Sequence, residues 1–326
     1  MKILIITDVG YPQVNGVIRT LQSTSDVLRE WGHTVDFISP EQFKTYPIPF
    51  YPEIEIAKPP YHMSSKLLDK NYNAFHISTE GPLGLSAKRI LLKNKIPYTT
   101  AYHTHFPKYI KDYFHCPESI AYRYLKWFHN KSKAVMVPSP SMMSILESKG
   151  FKNVVHWGRG VDQKLFYPRP KDDVDVGPRP YFVNVGRVSP EKNLKAFLSL
   201  DLPGTKIIVG DGPSLPYLKE KFPNVVFVGK KIGIDLALWY NRADVFVFPS
   251  LTDTFGLVSA EAICSGIPVA AFPVTGPKDI IEQGKTGFFD DDLKVAALKC
   301  LELKNVFYDF SWETATAQFF NNLALV

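Results

Sequence analysis

Cysteine is scarce in this chain. The three residues, Cys116, Cys264 and Cys300, lie far apart and form no CxxC or Cys/His pair. That spacing argues against a disulfide framework or a structural zinc and for free thiols in a reducing compartment. Long apolar runs are missing too, since nothing approaches the roughly 18 residues of a membrane-spanning helix. Met1-Lys2 leads straight into ILII, a strand too short for the apolar core of a secretory signal. A cytoplasmic protein is expected. The first strand-to-helix loop, TDVGYPQVNGVIRT (Thr7 to Thr20), lacks a GxGxxG fingerprint, so no dinucleotide is read into it. No arginine-rich or RNP-like motif appears, which leaves no nucleic-acid partner to expect.

What is present suits a globular chain. Its 326 residues are 45% apolar and 21% charged, enough for two domains of about 150 residues each. The net charge of +6 is uneven: residues 1–170 hold 22 Lys+Arg against 13 Asp+Glu (+9), and the remainder holds 16 against 19 (−3). The basic half is the one expected to meet an acidic partner, an anionic lipid surface or a phosphorylated acceptor.

Buried strand patterns alternate with helical ones along the chain. Ile3 to Thr7, a helix from Val17 to Trp31 and Thr34 to Ile38 make a βαβ opening, hence a parallel sheet. Thr45 to Pro60 is rich in proline and aromatics and reads as an irregular excursion. Strands follow at Ala74 to Ser78, Tyr98 to Tyr102, Ala134 to Val137 and Val154 to Trp157, with helices between. Pro168 to Pro180, PRPKDDVDVGPRP, cannot build a core element and reads as a linker. Asp173-Val174-Asp175 within it is formally DxD, a chance match in that context, and no metal site is expected. After it the βα rhythm resumes, through Tyr181 to Val185, a helix from Glu191 to Leu198, and Lys206 to Gly210, down to Val245 to Phe248. The last helix starts near Trp312. The fold class expected is α/β, two doubly wound parallel sheets: residues 1–170, rejoined by a C-terminal helix over 311–326, and residues 171–310.

In such sheets ligands sit at the carboxyl ends of strands. Five places there draw attention. Val245 to Pro268, VFVFPSLTDTFGLVSAEAICSGIP, reads as strand, polar loop and helix, which aims backbone N–H groups and a positive helix end at an anion. Two carboxylates flank it, Asp253 in the loop and Glu261 inside the helix, and these suit hydroxyl groups. A ligand with phosphates and hydroxyls, such as a nucleotide sugar, fits both. Asp253 is open to a second reading as a helix cap.

Gly186-Arg187-Val188-Ser189-Pro190-Glu191-Lys192-Asn193 follows the strand Tyr181 to Val185. Gly186 allows a tight turn, and Lys192, in the first helical turn, is a cation where the helix end disfavours one unless an anion intervenes. With Arg187 it is either a phosphate clamp or a surface lysine. Asn15-Gly16 either approaches a phosphate through N–H or is an ordinary helix start. His103-Thr104-His105 and Glu80 also fall at strand ends. His103 is the expected ligand contact, the alternatives being a structural histidine or half of a metal pair. Phe106 to Lys133 interleaves aromatics with bases, and its side chains either pack on the sheet or rest on a membrane surface.

GRVSPEKN, VGDGP (Val209 to Pro213) and FPSLTDTFGLVSAEA, with TDVGYPQVNGV, HISTEGPLGL (His76 to Leu85) and YHTHFPKYIKDY (Tyr102 to Tyr113), resemble glycosyltransferase family 4. The looks are nearest to its lipid-directed branch of GDP-mannose-dependent mannosyltransferases and sulfoquinovosyl-diacylglycerol synthases. The resemblance implies a GT-B fold, two Rossmann-like domains facing across a cleft, and a retaining, metal-independent transferase that needs no cofactor. It implies a nucleotide-sugar donor and a lipid or glycolipid acceptor, at the inner face of the membrane. Residue by residue, it makes Arg187 and Lys192 the clamp on the donor diphosphate and Glu261 the ribose carboxylate. Asp253 stands where the family has Glu, by the hexose. Gly16, Gly186, Thr254, Phe255, Gly256, Leu257 and Val258 line the donor, His103 lies by the reacting sugar, and Asn15 and Glu80 lie toward the acceptor. Mannose from GDP-mannose is the donor expected. UDP-glucose, UDP-glucuronate or UDP-sulfoquinovose are alternatives, as is a nucleotide-sugar epimerase of the same fold. A non-catalytic binder would hold donor without turnover.

Overall fold

The computed structural model describes the chain except for residues 11–15, 49–50, 59–62, 69–70, 105–106, 108–116 and 173. Asn15, His105, Cys116, Asp173 and the aromatic and basic residues from Phe106 to Phe114 therefore lie outside the described residues.

The strands in chain order are β1 Lys2–Ile6, β2 Thr34–Ile38, β3 Thr45–Ile48, β4 Tyr51–Ala57, β5 Ala74–Ile77, β6 Thr99–Ala101, β7 Val135–Val137 and β8 Val154–His156. They continue with β9 Tyr181–Val185, β10 Thr205–Val209, β11 Val226–Phe227, β12 Val245–Phe248, β13 Val269–Ala271 and β14 Gly287–Phe289. Contacts divide the chain into two compact units, Met1–Gly160 with Trp312–Val326, and Val161–Ser311.

In the first unit a parallel six-stranded sheet runs in the order β2-β1-β5-β6-β7-β8. Strand β1 is apolar from Ile3 to Ile6 because helices cover both its faces. Leu4 and Ile6 point to one side, with Ile38, Phe75, Ile77 and Phe128. Ile3 and Ile5 point to the other, with Leu21, Leu28, Trp157 and Phe319. Phe319 comes from the helix Trp312–Asn321, whose Gln318 Oε1 accepts from Gly158 N at 2.7 Å. In the second unit the order is β11-β10-β9-β12-β13-β14, again parallel. Val183, Ile207 and Phe246 face one core, and Phe182, Ile208, Val245 and Val247 face the other.

The division falls ahead of the proline-rich segment because Val161 and Phe166 already pack in the second unit's core. Val161 N also bonds Phe310 O at 2.9 Å, and Arg169 N bonds Asn241 Oδ1 at 2.6 Å.

Three local expectations differ from the structure. Residues expected as an irregular excursion form the antiparallel hairpin β3-β4, with a register shift at Pro47/Ile48 that accommodates proline in an edge pair. The expected helix Glu191 to Leu198 is a 3-10 turn, Pro190–Lys192, then Asn193 in the left-handed region (φ 51°), then a short helix, Leu194–Leu198. Strands β13 and β14 were not expected, being three residues each and carrying no alternation to read.

Both sheets reverse their winding direction once. The first does so between β1 and β5, the second between β9 and β12. The loops leaving those strands diverge and leave a crevice at their carboxyl ends, where a ligand fits.

Candidate active site

In the second unit the two loops at the switch point are those of the sequence reading. After β9 the chain turns at Gly186 (φ 147°), and Val188 N bonds Asp211 O at 2.8 Å, tying this loop to the one after β10. The fit is close: a Cβ on Gly210 would stand 1.8 Å from Gly186 O, and one on Gly212 2.5 Å from Val188 O. After β12 the chain runs through Pro249 to Phe255 into the helix Leu257–Cys264. Gly256 is its N-cap at φ 90°, a left-handed conformation that favours glycine. Its carbonyl takes the first helical bond from Ser259 N at 2.9 Å, so the N–H groups of Leu257 and Val258 precede the helical ladder and point from its positive end. Gly276 supports this loop from behind, where a Cβ would meet Phe255 O at 2.7 Å.

The side chains of the two loops meet. Lys192 Nζ donates to both carboxylate oxygens of Asp253, at 2.8 and 3.0 Å. Asn193 Nδ2 donates to Pro249 O at 3.1 Å beside them. Burial opposes ionisation of Asp253. The Lys192 charge and hydrogen bond and a Ser250 hydrogen bond outweigh it, and the carboxyl sits below its ordinary range. Asp253 therefore does not cap the helix. The anion that Lys192 requires is supplied within the chain.

Glu261 is buried, 4% exposed, and accepts from Tyr240 Oη at 2.7 Å. Arg187, Thr254, Leu257 and Val258 are half-buried, and Phe255 is buried against Phe310, ring centroids 6.4 Å apart. Cys264 and Cys300 are buried thiols, each pushed up to about 12, by burial above all.

In the first unit His103 follows β6. Its Nε2 lies 2.9 Å from Ser78 Oγ, and its Nδ1 lies 3.1 Å from Arg159 Nη2. Burial first, then the charge of Arg159 and the nearness of His76 and His129, hold the imidazole well below its ordinary range, so it is neutral. Gly16 opens the helix Gly16–Glu30, and its carbonyl accepts from Thr20 Oγ1 at 2.7 Å. Glu80 is placed differently from the reading toward the acceptor. Its carboxylate turns inward, Oε1 at 3.0 Å from His129 Nε2, and His129 Nδ1 lies 2.9 Å from Thr100 Oγ1. Asp8, at the end of β1, accepts from Leu83 N at 2.6 Å and Gly84 N at 3.2 Å, which caps the helix Pro82–Lys93.

The structure thus brings together Lys192 and Asp253 from loops 61 residues apart, and it separates Glu80 from solvent. Sequence reasoning missed Ser78, His129, Arg159 and Tyr240. The glycine-flanked Gly158-Arg159-Gly160 at the end of β8 is a signal that could have exposed one of them. Among the described residues no three His, Cys, Asp or Glu side chains cluster as a metal site would, and no helix is long and apolar enough to cross a membrane.

Comparison with known proteins adds to this geometry. Residues 14–165 match the family Glycosyltransferase Family 4, and residues 179–303 match the family Glycosyl transferases group 1. A GDP-mannose-dependent alpha-mannosyltransferase of Corynebacterium glutamicum is 28% identical over 319 residues, 89% of this chain and 77% of the relative. An alpha-monoglucosyldiacylglycerol synthase of Streptococcus pneumoniae is 29% identical over 347 residues, 92% of this chain and 78% of the relative. Among solved structures, sucrose-phosphate synthase from Thermosynechococcus elongatus superposes with a TM-score of 0.75 at 21% identity, over 98% of this chain and 97% of that one. The fold is GT-B.

Proposed function

The chain belongs to the glycosyltransferases, family 4 through its first half and group 1 through its second, and from that premise we propose that it transfers a hexose from a nucleotide sugar to a membrane-lipid acceptor with retention. The donor we infer is GDP-mannose and the acceptor a diacylglycerol glycolipid. What carries the reading is the junction of the β9 and β12 loops, where Lys192 meets Asp253 beside the start of the helix Leu257–Cys264. Similarity to the mannosyltransferase favours the donor, and similarity to the glucosyldiacylglycerol synthase favours the lipid. That second relative also favours a glucose nucleotide as the alternative donor.

The chemistry follows from charge. Breaking the bond from the anomeric carbon to the diphosphate oxygen develops positive charge on the sugar and negative charge on the leaving group. Arg187, Lys192 and the N–H groups of Leu257 and Val258 stabilise that negative charge. On donor binding the diphosphate competes with Asp253 for the Lys192 ammonium, which leaves Asp253 able to accept from a sugar hydroxyl. Glu261 takes the ribose hydroxyls from its buried seat, with Tyr240 holding one oxygen. The acceptor hydroxyl attacks the same face, and its proton passes to the leaving phosphate oxygen. We assign His103 to the reacting sugar, and Gly16 and Asn15 to the donor phosphate and the acceptor. These charges come from side chains and backbone, so the reaction is assigned no cofactor.

The first unit carries the membrane contact in this reading. Ile120, Arg123, Tyr124 and Trp127 fall at helical spacing on one exposed face of the helix Glu118–His129. The protein would then act peripherally, at the inner face of a membrane.

The test is an incubation of the full chain with labelled GDP-mannose, UDP-glucose, UDP-glucuronate or UDP-sulfoquinovose and vesicles containing diacylglycerol or its glycosides. Label passing into the lipid phase from GDP-mannose is the expected result. Conversion of donor without any acceptor would mean an epimerase, and calorimetric binding without turnover on any acceptor would mean a binder.

A further inference from the structure

Among the described residues, Arg159 is a buried arginine with no carboxylate partner. It is 7% exposed, lies at the end of β8, and spends its donors on three neighbours. Nη1 donates to Trp157 O at 2.5 Å and Gly158 O at 2.9 Å, while Nη2 lies 3.1 Å from His103 Nδ1. The guanidinium also stands over the Trp157 ring, 4.5 Å from its centroid. Burying such a cation is costly unless its donors find partners, and two carbonyls and an imidazole nitrogen take three of its N–H groups while the Trp157 ring covers its face.

A guanidinium has hydrogens to give and no lone pair to offer, so His103 Nδ1 must be the acceptor. The single ring proton is then on Nε2, pointing at Ser78 Oγ. We propose that Arg159 is a positioning residue that holds His103 neutral, as the Nε2–H tautomer, with both ring nitrogens engaged inside the first unit. The proposal rests on the reading that places His103 beside the transferred sugar. It says that His103 is a fixed wall of that site and relays no proton during transfer.

The seat of Arg159 is itself held. Gly158 N donates to Gln318 Oε1 at 2.7 Å, Asn322 Nδ2 donates to His156 O at 3.1 Å, and a Cβ on Gly160 would meet Trp312 at 2.5 Å. The C-terminal helix Trp312–Asn321 and the residue after it therefore fix the segment that presents the guanidinium. Among the described residues, the groups facing His103 include Arg159 and Trp157 beyond β8, Ser78 beyond β5, His76 on β5, and His129 at the end of the helix Glu118–His129.

The experiment uses the full chain labelled with 15N-histidine, with His103 assigned by its loss in His103→Gln. Wild type should show a neutral Nε2–H ring from pH 8 down to pH 5.5. In Arg159→Met the Nδ1 donor and the neighbouring charge are both gone, so the ring should populate both tautomers and titrate at higher pH. Arg159→Lys, which keeps charge and a donor, should restore the wild-type spectrum. In transfer assays the ratio of kcat at pH 5.5 to kcat at pH 7.5 should fall about twofold or more in Arg159→Met, with donor KM changed less than kcat. A merely structural arginine would lower melting temperature and leave ring spectrum and pH profile alone. Should Arg159→Met fail to fold, Arg159→Gln, with a donor but no charge, takes its place and should keep the tautomer while titrating at higher pH. A folded variant whose His103 stays neutral Nε2–H at pH 5.5 without either change overturns the proposal. The spectrum is read without substrates, so failure of the transferase reading leaves this result distinguishable.

Discussion

Lys192 Nζ bridges both oxygens of Asp253, and neither side chain is more than about a quarter exposed, 26% and 20%. The pair joins the two loops that leave the sheet where its winding reverses. It therefore ties the two loops together, and in the proposed function its ammonium is the group that meets the donor diphosphate.

Removing the ammonium tests both roles. Lys192→Met should lower transfer by 10²–10³, about 2.7–4 kcal/mol, the usual loss for a charged transition-state contact. It should also destabilise the second unit in a pH-dependent way. The Asp253 carboxyl is held down in the folded protein, so its stabilisation is present above the unfolded value of about 3.9 and is lost as pH falls through the folded value. The melting difference between wild type and Lys192→Met should thus be widest near neutral pH and shrink below about pH 4. A difference constant from pH 3 to 7 would mean that the pair contributes nothing electrostatic.

Tyr240→Phe isolates the seat of Glu261. The phenol donates to a carboxylate that is 4% exposed, and a hydrogen bond to a charged group is worth about 1.5–3 kcal/mol. Calorimetry should show a lower melting temperature. Donor KM should rise more than kcat falls if, as proposed, the displaced carboxylate serves binding of the ribose. Unchanged KM in a variant with the expected melting loss would place Glu261 in the fold and not in the donor site.

The sequence disclosed the parts of this site more readily than their pairing. Lys192 at a helix end reads as a cation in need of an anion, and Asp253 before one as a hydroxyl contact or a helix cap, yet their meeting depends on β12 docking beside β9, a contact no local pattern encodes. Tyr240 and Glu261 are likewise joined across helices. Strand β1 was legible because both its faces are buried and it is apolar from Ile3 to Ile6, whereas β13 and β14 are too short to show a period. Prolines hid the β3-β4 hairpin, since they count against strands and a bulged edge pair tolerates them. Glu80 looked like a site residue by position. Its side chain turns inward because His129, at the end of a helix far along the chain, offers it a nitrogen.

That inward turn gives a prediction of its own. Glu80→Ala leaves His129 buried without its Nε2 partner, and should cost about 1–3 kcal/mol of stability. Acceptor KM in the folded variant should stay within about twofold of wild type, well under the 1.4 kcal/mol of a tenfold change. A large, selective rise in acceptor KM would return Glu80 to the acceptor site.

The exposed face of the helix Glu118–His129 is the most direct test of membrane contact. Ile120, Tyr124 and Trp127 are 48%, 41% and 53% exposed there, with Arg123 among them. Two of these side chains also serve the fold: Tyr124 Oη donates to Glu80 O at 2.8 Å, and the Lys88 ammonium lies 3.6 Å from the Trp127 ring centroid. Ile120 and Arg123 are therefore the informative positions. Burying an isoleucine side chain is worth about 1.5–3 kcal/mol, and a basic residue near an anionic surface about 1 kcal/mol. Ile120→Ser with Arg123→Ser should cut flotation with anionic vesicles at least about tenfold, while transfer to detergent-dispersed acceptor stays near wild type. Raising salt should weaken wild-type flotation more than that of the double variant, because the arginine's share is screened and the isoleucine's is not. If the two proteins float equally at low salt, the membrane contact lies on another surface.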